Sequence, residues 1–237
     1  MKRKWIVAAV IVALLIAYGY RVYAVNTSEI VKYAEPKTIE YQVGEAVELV
    51  PGYYNTGYVD LSGYHVKVTG ARIVKISDIL EKYGCDEDDF YDTGDVFNSV
   101  DRQYQYAYVL DAVFWFDGDN DPLANVIDLS SFKLVGSDYY CDFSYEINKI
   151  EGYNPILDGN SMFSIGSGKK IELELPFLVN SNSDWAISND YLLSHPPRLM
   201  VSQYPYEVYL SLPDAQVEDQ SIAICSLSKL RNRAYRR

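Results

Sequence analysis

The chain has 237 residues, of which 49% are hydrophobic and 23% charged, and its formal net charge is -12. These fractions are those of an ordinary folded protein, so they exclude wholesale disorder, a collagen-like chain and a polytopic membrane protein. The acidic balance argues against nucleic acid as a partner, because phosphates require lysine and arginine. Three cysteines are too few for a disulfide scaffold.

The N-terminus predicts a segment that takes the chain into a membrane. The basic head Met1–Lys4 precedes the apolar run Trp5–Ala17, and Tyr18, Tyr20 and Tyr23 follow it as candidate interfacial anchors. A helix over residues 5–24 would be about 30 Å long, which is one hydrocarbon thickness. We therefore expect a retained transmembrane signal anchor with its N-terminus inside the cell. The alternative is a signal peptide cleaved near Ala24, which would release a secreted protein.

Charge is segregated along the chain. Residues 1–24 and residues 229–237 are basic and contain no acidic residue, so all 33 aspartates and glutamates lie between them. The basic tail is expected to be solvated, with docking on an anionic polymer, on lipid or on the domain itself as the alternative. The predicted organisation is an anchor at 1–24, a stalk at 25–35, an ectodomain at 36–228 and the tail at 229–237.

The middle of the chain has the period-2 alternation of β-strands. A bulge is expected at Gly70-Ala71, and a single short helix, capped by Ser77 and ended by Gly84, is predicted at 78–83. Few helical crossovers separate the strands, which predicts an all-β antiparallel sandwich with long loops. The predicted strands lie at 39–43, 64–76, 104–116, 171–179 and 206–212, with shorter ones at 126–135, 139–147 and 222–227.

Three of these segments support a family resemblance. They are YVLDAVFWF at 108–116, VIDLSSFKLVG at 126–136 and SIGSGKKIELELPFLV at 164–179. Behind an anchor and a polar stalk, this order resembles the telokin-like, immunoglobulin-like extracellular domains of membrane-anchored Firmicute proteins. The resemblance covers residues 36–212. It implies an immunoglobulin-like fold on the outer side of a Gram-positive cell membrane, and it supplies no catalytic residues.

One acidic loop has the spacing of a cation site. Asp117, Asp119 and Asp121 alternate, and Asp128 stands at the twelfth position of an EF-hand-like count. Pro122 occupies the position that needs glycine, so we expect a solvated loop and no metal or cofactor, with calcium as the alternative. The acidic run at 86–89, with Asp92 and Asp95, is likewise expected to be a solvated loop.

No motif predicts a catalytic site. Residues 159–163 lack the closing glycine of a nucleophile elbow. The segment Gly166–Lys170 is similar to a phosphate-binding loop, but Phe163 stands in place of its first glycine and Lys170 in place of its serine or threonine. His65 and His195 are expected at the surface, without a catalytic role. Cys141 is predicted on an apolar strand face, and the odd number of cysteines allows at most one disulfide among Cys85, Cys141 and Cys225.

Tyrosine is abundant, with 23 residues against 8 phenylalanines. Amphipathic rings on loops can form a contact surface for glycans or proteins, whereas the alternative is that they serve as core aromatics of the sandwich. The candidate binding tyrosines, which stand at strand ends or in loops, are Tyr53, Tyr54, Tyr58, Tyr104, Tyr139, Tyr140, Tyr153 and Tyr204.

The sequence as a whole favours a non-catalytic binding or interaction module of the bacterial envelope. Its expected partners are the membrane and a cell-wall polymer or a surface protein. Two alternatives stay open: an envelope hydrolase that acts on wall glycan through paired carboxylates, and a structural subunit of a membrane complex.

Overall fold

A computed structural model of the chain describes residues 14–23, 37–54, 57–91, 104–118, 126–180, 187–203 and 206–218. Residues 14–23 are helical and exposed, and the rest of the predicted anchor lies outside the described ranges. None of the helices within those ranges has the length and apolarity needed to cross a bilayer. The anchor therefore stays a prediction, as does the basic tail, which also lies outside them. A compact unit begins at Thr38.

The described residues are mostly β-strand with a few short helices. The strands are β1 (Lys37–Tyr41), β2 (Val47–Glu48), β3 (Gly52–Tyr54), β4 (Gly57–Val59), β5 (Tyr64–Lys75), β6 (Tyr104–Phe116), β7 (Ile127–Asp128), β8 (Lys133–Val135), β9 (Tyr140–Asp142), β10 (Met162–Phe163), β11 (Lys170–Asn180), β12 (Arg198–Ser202), β13 (Tyr206–Ser211) and β14 (Gln216–Glu218). The helices are α1 (Ile76–Tyr83), α2 (Glu87–Tyr91), α3 (Tyr145–Asn148) and α4 (Asn189–Ser194), with a 3-10 turn at Leu129–Ser131.

Two larger sheets organise the unit. The first has the strand order β1-β13-β12-β8-β9, and the second has the order β11-β6-β5-β14, with β2 also paired to β5. Two small ribbons, β3–β4 and β7–β10, complete the pairing among the described strands. The sheets are largely antiparallel as predicted, but β14 runs parallel to β5.

The long strand β6 is the centre of the second sheet, and it pairs with β5 on one side and β11 on the other. Its predicted alternation is confirmed: Tyr108, Leu110, Phe114 and Phe116 are buried on one face. A bulge is present in β5, but one position earlier than predicted, because the β5–β6 register shifts between Val68 and Gly70 while Gly70 and Ala71 are both paired with β6.

The two sheets share one buried apolar cluster. Phe114 and Leu175 of the second sheet belong to the same cluster as Leu134, Leu199 and Val208 of the first. The rings of Phe114 and Phe132 lie 6.2 Å apart within it. Burial of this shared surface is the main force that holds a two-layer β-structure together.

A second apolar cluster covers the outer face of the second sheet. Ala107 and Val109 of β6 pack there with Ile79 and Leu80 of α1 and with Ile147 of α3. The helices are amphipathic and bury one side against the strands. β6 is consequently covered on both faces over part of its length.

The structure shares with immunoglobulin-like domains a two-layer arrangement of mostly antiparallel strands. The finer immunoglobulin-like assignment stays a prediction.

Two predictions of local structure are wrong. Ser77 does not cap α1, because the helix begins at Ile76 with Lys75 as a cap residue that makes no side-chain bond. Burial of Ile76 at the start of the helix outweighs the capping preference of serine. Gly84 does end the helix in the left-handed conformation, as predicted. The predicted strand at 139–147 ends at Asp142, since the Ser144 hydroxyl accepts a bond from the Ile147 amide and starts α3.

Several segments for which no strand or helix is predicted form one in the structure. Strand β12 lies in a region without a predicted strand, since five residues next to Pro196 and Pro197 give only a short alternation. The acidic run at 87–89 forms the first turn of α2, where carboxylates favour the helix dipole. The region 51–63 contains the short ribbon β3–β4. The predicted strand at 222–227 lies outside the described residues.

Candidate functional site

A cleft of about 820 Å³ opens where β9, α4 and the adjoining ends of β6 and β11 meet. Four tyrosines from three parts of the chain line it, together with two aspartates of the β8–β9 hairpin. These residues are Tyr104, Tyr139, Tyr140, Tyr191, Asp138 and Asp142. The cleft lies within the range of about 300–1,000 Å³ that is typical of small-ligand sites.

The β8–β9 hairpin positions Tyr139. Its turn is closed by the Gly136 amide, which donates to the Tyr139 carbonyl at 2.9 Å. The Tyr139 ring lies where a side chain at position 136 would stand, so only glycine fits there. The Tyr139 hydroxyl donates to the His195 carbonyl at 2.8 Å, and burial raises the pKa of this phenol. The ring is therefore held at both ends.

Helix α4 positions Tyr191 opposite the hairpin. Ser188 caps the helix by accepting a bond from the Tyr191 amide at 3.1 Å. The Tyr191 hydroxyl donates to Asp138 Oδ1 at 2.7 Å. Its ring stacks on His195 at a centroid distance of 4.4 Å and meets the Tyr139 ring edge-on at 6.0 Å. Two hydrogen bonds and two ring contacts thus fix this wall of the cleft.

The electrostatics of the cleft come from two carboxylates and one ammonium group. The hydrogen bond from Tyr191, with a smaller one from Ser137, lowers the pKa of Asp138 below its ordinary value. Lys133 Nζ lies 3.2 Å from Asp142 Oδ1 and 5.4 Å from the centroid of the Tyr140 ring. Tyr140 itself is 65% exposed, so its ring remains accessible from the cleft.

Comparison with known protein families gives one match over most of the chain. Residues 38–207 match the family described as "Domain of unknown function (DUF5028)". The chain belongs to the DUF5028 family. No curated protein sequence matches it.

One solved structure is distantly similar to this DUF5028 protein. It is described as "Structure of a putative lipoprotein from Staphylococcus aureus subsp. aureus NCTC 8325". The similarity covers 74% of this chain and 99% of that one, with 13% sequence identity and a TM-score of 0.38. A likeness this distant has no bearing on function.

The predicted binding tyrosines have different environments in the DUF5028 domain. Tyr104, Tyr139 and Tyr140 come together in the cleft, whereas Tyr153 is buried in the second apolar cluster. The side chains of Tyr53, Tyr54 and Tyr58, and the whole of Tyr204, lie outside the described residues. Sequence reasoning missed Tyr191, although a serine three residues before it marks a helix start that would have placed it on α4.

The two described aspartates of the predicted cation loop have other partners. Asp117 Oδ1 lies 2.7 Å from His65 Nε2, and Asp128 Oδ1 accepts bonds from the Ser130 amide and hydroxyl. Asp119 and Asp121 lie outside the described ranges. Within those ranges, no group of three or more histidine, cysteine or acidic side chains is placed to hold a metal ion.

The histidines have different degrees of exposure. His65 is only 19% exposed, and its ring stacks on Trp115 at 5.0 Å while it bonds to Asp117. His65 is thus partly exposed, and the ring of Trp115 on the neighbouring strand β6 covers one of its faces. His195 is exposed, as expected, and lies beside the cleft at the end of α4.

A polar cluster that the sequence did not predict spans the second sheet. Asp111 of β6 and Glu174 of β11 are direct cross-strand partners, and Arg72 bonds to Asp111 at 2.6 Å and to Glu174 at 2.9 Å. Burial disfavours the charged guanidinium, but these carboxylates outweigh it and raise the pKa of Arg72. Arg72 thus forms ion pairs with both Asp111 and Glu174, two acidic side chains that would otherwise repel each other.

The glycine- and lysine-rich segment at 166–170 is a turn that enters a strand. Lys169 donates its amide to the Gly166 carbonyl at 3.0 Å, Gly168 donates to Phe116, and β11 begins at Lys170. This agrees with its departure from the phosphate-loop pattern. Cys141 is buried on β9, as predicted, and burial raises the pKa of its thiol to about 12.

Proposed function

We propose that this DUF5028 protein is a non-catalytic binding module of the bacterial envelope and that the tyrosine-lined cleft is its binding site. The observation that carries the proposal is the convergence of Tyr104, Tyr139, Tyr140 and Tyr191 on one cleft. Rigid aromatic rings lose little conformational entropy on binding, so they are effective contact residues.

The fixed geometry of the cleft supports this role. Tyr139 and Tyr191 are already held by hydrogen bonds to His195 and Asp138. A ligand that binds between rings fixed in this way does not have to order them, which lowers the cost of binding. Exposed Tyr140 adds an open ring at the rim of the cleft.

The envelope location rests on the N-terminal sequence. The basic head Met1–Lys4 and the apolar run Trp5–Ala17 lie N-terminal to the matched domain, which begins at residue 38. In this proposal the segment is a single-pass anchor with its N-terminus inside, and the domain lies outside a Gram-positive cell. N-terminal sequencing of the mature protein distinguishes the anchor from a cleaved signal peptide. Protection of the domain from added protease in intact cells would contradict both the anchor and the cleaved signal peptide, because each places the domain outside the cell.

The binding role is tested by retention of the full chain on purified cell walls and on surface proteins at low salt. The informative variant is Tyr140→Ala, which removes an exposed ring from the cleft. The matched control is Tyr145→Ala. Like Tyr140, Tyr145 is exposed and has a lysine over its ring, with Lys149 Nζ 4.1 Å from the ring centroid. We expect Tyr140→Ala to lose retention and Tyr145→Ala to keep it. Equal retention of both variants would contradict the assignment of the cleft.

A further inference from the structure

We infer that the tyrosine cleft binds a neutral, hydroxyl-rich ligand of the carbohydrate class. This inference rests on the proposed function, because it specifies what the same cleft recognises. It follows from three features: the exposed ring of Tyr140, the two carboxylates of the cleft, and the ammonium group of Lys133, which already pairs with one of them.

The open ring is that of Tyr140. It is 65% exposed, and its phenol group has no fixed partner among the described residues. The face of a tyrosine ring is apolar and carries a partial negative charge, so it attracts the carbon-bound hydrogens of a flat ligand ring. A pyranose has such a face, with its hydroxyl groups directed around the edge.

The carboxylates supply the acceptors that such hydroxyls need. Asp138 uses Oδ1 for the Tyr191 hydroxyl, and Asp142 uses Oδ1 for Lys133. Within the described ranges, no other side chain donates a hydrogen bond to the second oxygen of either carboxylate. An ionised carboxylate accepts through both oxygens, so each aspartate can still bind a donor in the cleft.

The charges of the cleft oppose an anionic ligand, which Asp138 and Asp142 would repel. Lys133 already pairs with Asp142, so a cationic ligand would have only the carboxylate of Asp138 as an unpaired charge. Sugar hydroxyls can donate to the carboxylates and accept from Lys133 at the same time, so they satisfy both kinds of group.

The test is a calorimetric titration of the full chain in a polyoxyethylene detergent, which contains neither sugar nor quaternary ammonium. The probes are tetra-N-acetylchitotetraose, cellotetraose and maltotetraose, with tetramethylammonium and tetralysine as cationic ligands and purified teichoic acid as the anionic one. The variants are Tyr140→Ala, Tyr140→Phe, Asp138→Asn and the control Tyr145→Ala.

We expect at least one neutral oligosaccharide to bind. Tyr140→Ala should weaken that binding by about tenfold or more, whereas Tyr140→Phe and Tyr145→Ala should change it by less than about threefold. Asp138→Asn should weaken it without unfolding the protein, since the amide oxygen can still accept from Tyr191.

Cleft-dependent binding of a cationic or anionic probe alone would overturn the carbohydrate assignment and leave the proposed function standing. If no probe binds but wall retention depends on Tyr140, the carbohydrate assignment fails alone. If neither depends on Tyr140, both fail.

Discussion

Tyr191 donates its hydroxyl to Asp138 Oδ1 at 2.7 Å and so joins α4 to the tip of the β8–β9 hairpin. The two residues are 53 positions apart in the chain. The same hydrogen bond orients the Asp138 carboxylate, fixes the Tyr191 ring and defines one wall of the cleft. The conformation of the cleft therefore depends on a contact between two surface segments.

The first prediction concerns the ionisation of Asp138. Removal of the hydroxyl in Tyr191→Phe should raise the pKa of Asp138 toward its ordinary value, because the hydrogen bond from Tyr191 is the main cause of its depression. The bond stabilises the fold while Asp138 is ionised, and its contribution disappears as the pH falls through the lowered pKa of the folded state. NMR titration of the Asp138 carboxyl carbon measures the change. An unchanged pKa in Tyr191→Phe, or an equal shift in Tyr145→Phe, would contradict the assignment.

The second prediction concerns Gly136. In Gly136→Ala the new methyl group would meet the Tyr139 ring, which is held by its hydrogen bond to His195. The ring must move, so we expect a loss of about 1–3 kcal/mol in the free energy of unfolding and weaker ligand binding. Urea denaturation gives the first quantity. Gly166→Ala is the control, because its nearest neighbour, Lys169 Cδ, is at an ordinary contact distance of 3.6 Å. Equal stability of the two variants would argue against a fixed Tyr139.

The third prediction concerns the reactivity of the cysteines. Cys141 is buried, which raises the pKa of its thiol to about 12, so very little thiolate exists at pH 8. Iodoacetamide should modify Cys85, which is only partly buried, much faster than Cys141 in the native protein. Peptide mapping by mass spectrometry distinguishes the two sites. In urea the two cysteines should be modified at similar rates. Rapid modification of Cys141 in the native protein would contradict the prediction, because it would show that β9 opens readily.

The fourth prediction concerns Asn154. Its buried side chain makes hydrogen bonds with the backbone of β11. Its amide nitrogen donates to the Glu174 carbonyl at 2.8 Å and to Asn148 at 2.9 Å, and its oxygen accepts from the Glu174 amide at 3.1 Å. Asn154→Ala leaves these groups without partners, so we expect a loss of about 2–4 kcal/mol in the free energy of unfolding.

The control for this prediction is Asn160→Ala. Asn160 is exposed, and its side chain makes one hydrogen bond, to the Leu157 carbonyl. Asn160→Ala should lower the free energy of unfolding by about 1 kcal/mol or less. If urea denaturation gave the two variants the same stability, the bonds of Asn154 to β11 would not support the fold.

Much of the sheet structure could be predicted from the sequence because alternation is a local signal. Aromatic or aliphatic side chains recur at every second position of β6, and the structure has the strand at the predicted bounds, 104–116. Local signals failed where burial competed with them. Ile76 begins α1 although Ser77 is the better cap, and α3 starts at Tyr145 because Ser144 caps it within an apparently alternating segment.

The cleft could be predicted only in part. The sequence singled out Tyr104, Tyr139 and Tyr140 as binding candidates, but no local pattern shows that residues 104 and 139 lie on neighbouring elements. Tyr191 and Asp138 meet only because α4 packs beside the β8–β9 hairpin. Such contacts depend on the order of strands in the sheets, and alternation does not determine that order.

The most direct test of the cleft as the binding site is hydrogen–deuterium exchange of the full chain, free and bound to purified cell-wall material. Ordered contact with a ligand should slow exchange at the backbone amides around it. Our account predicts slower exchange on binding in peptides that cover residues 136–142 and 187–195, and no change in those around Tyr145. Protection elsewhere in the domain, with these two segments unchanged, would contradict it.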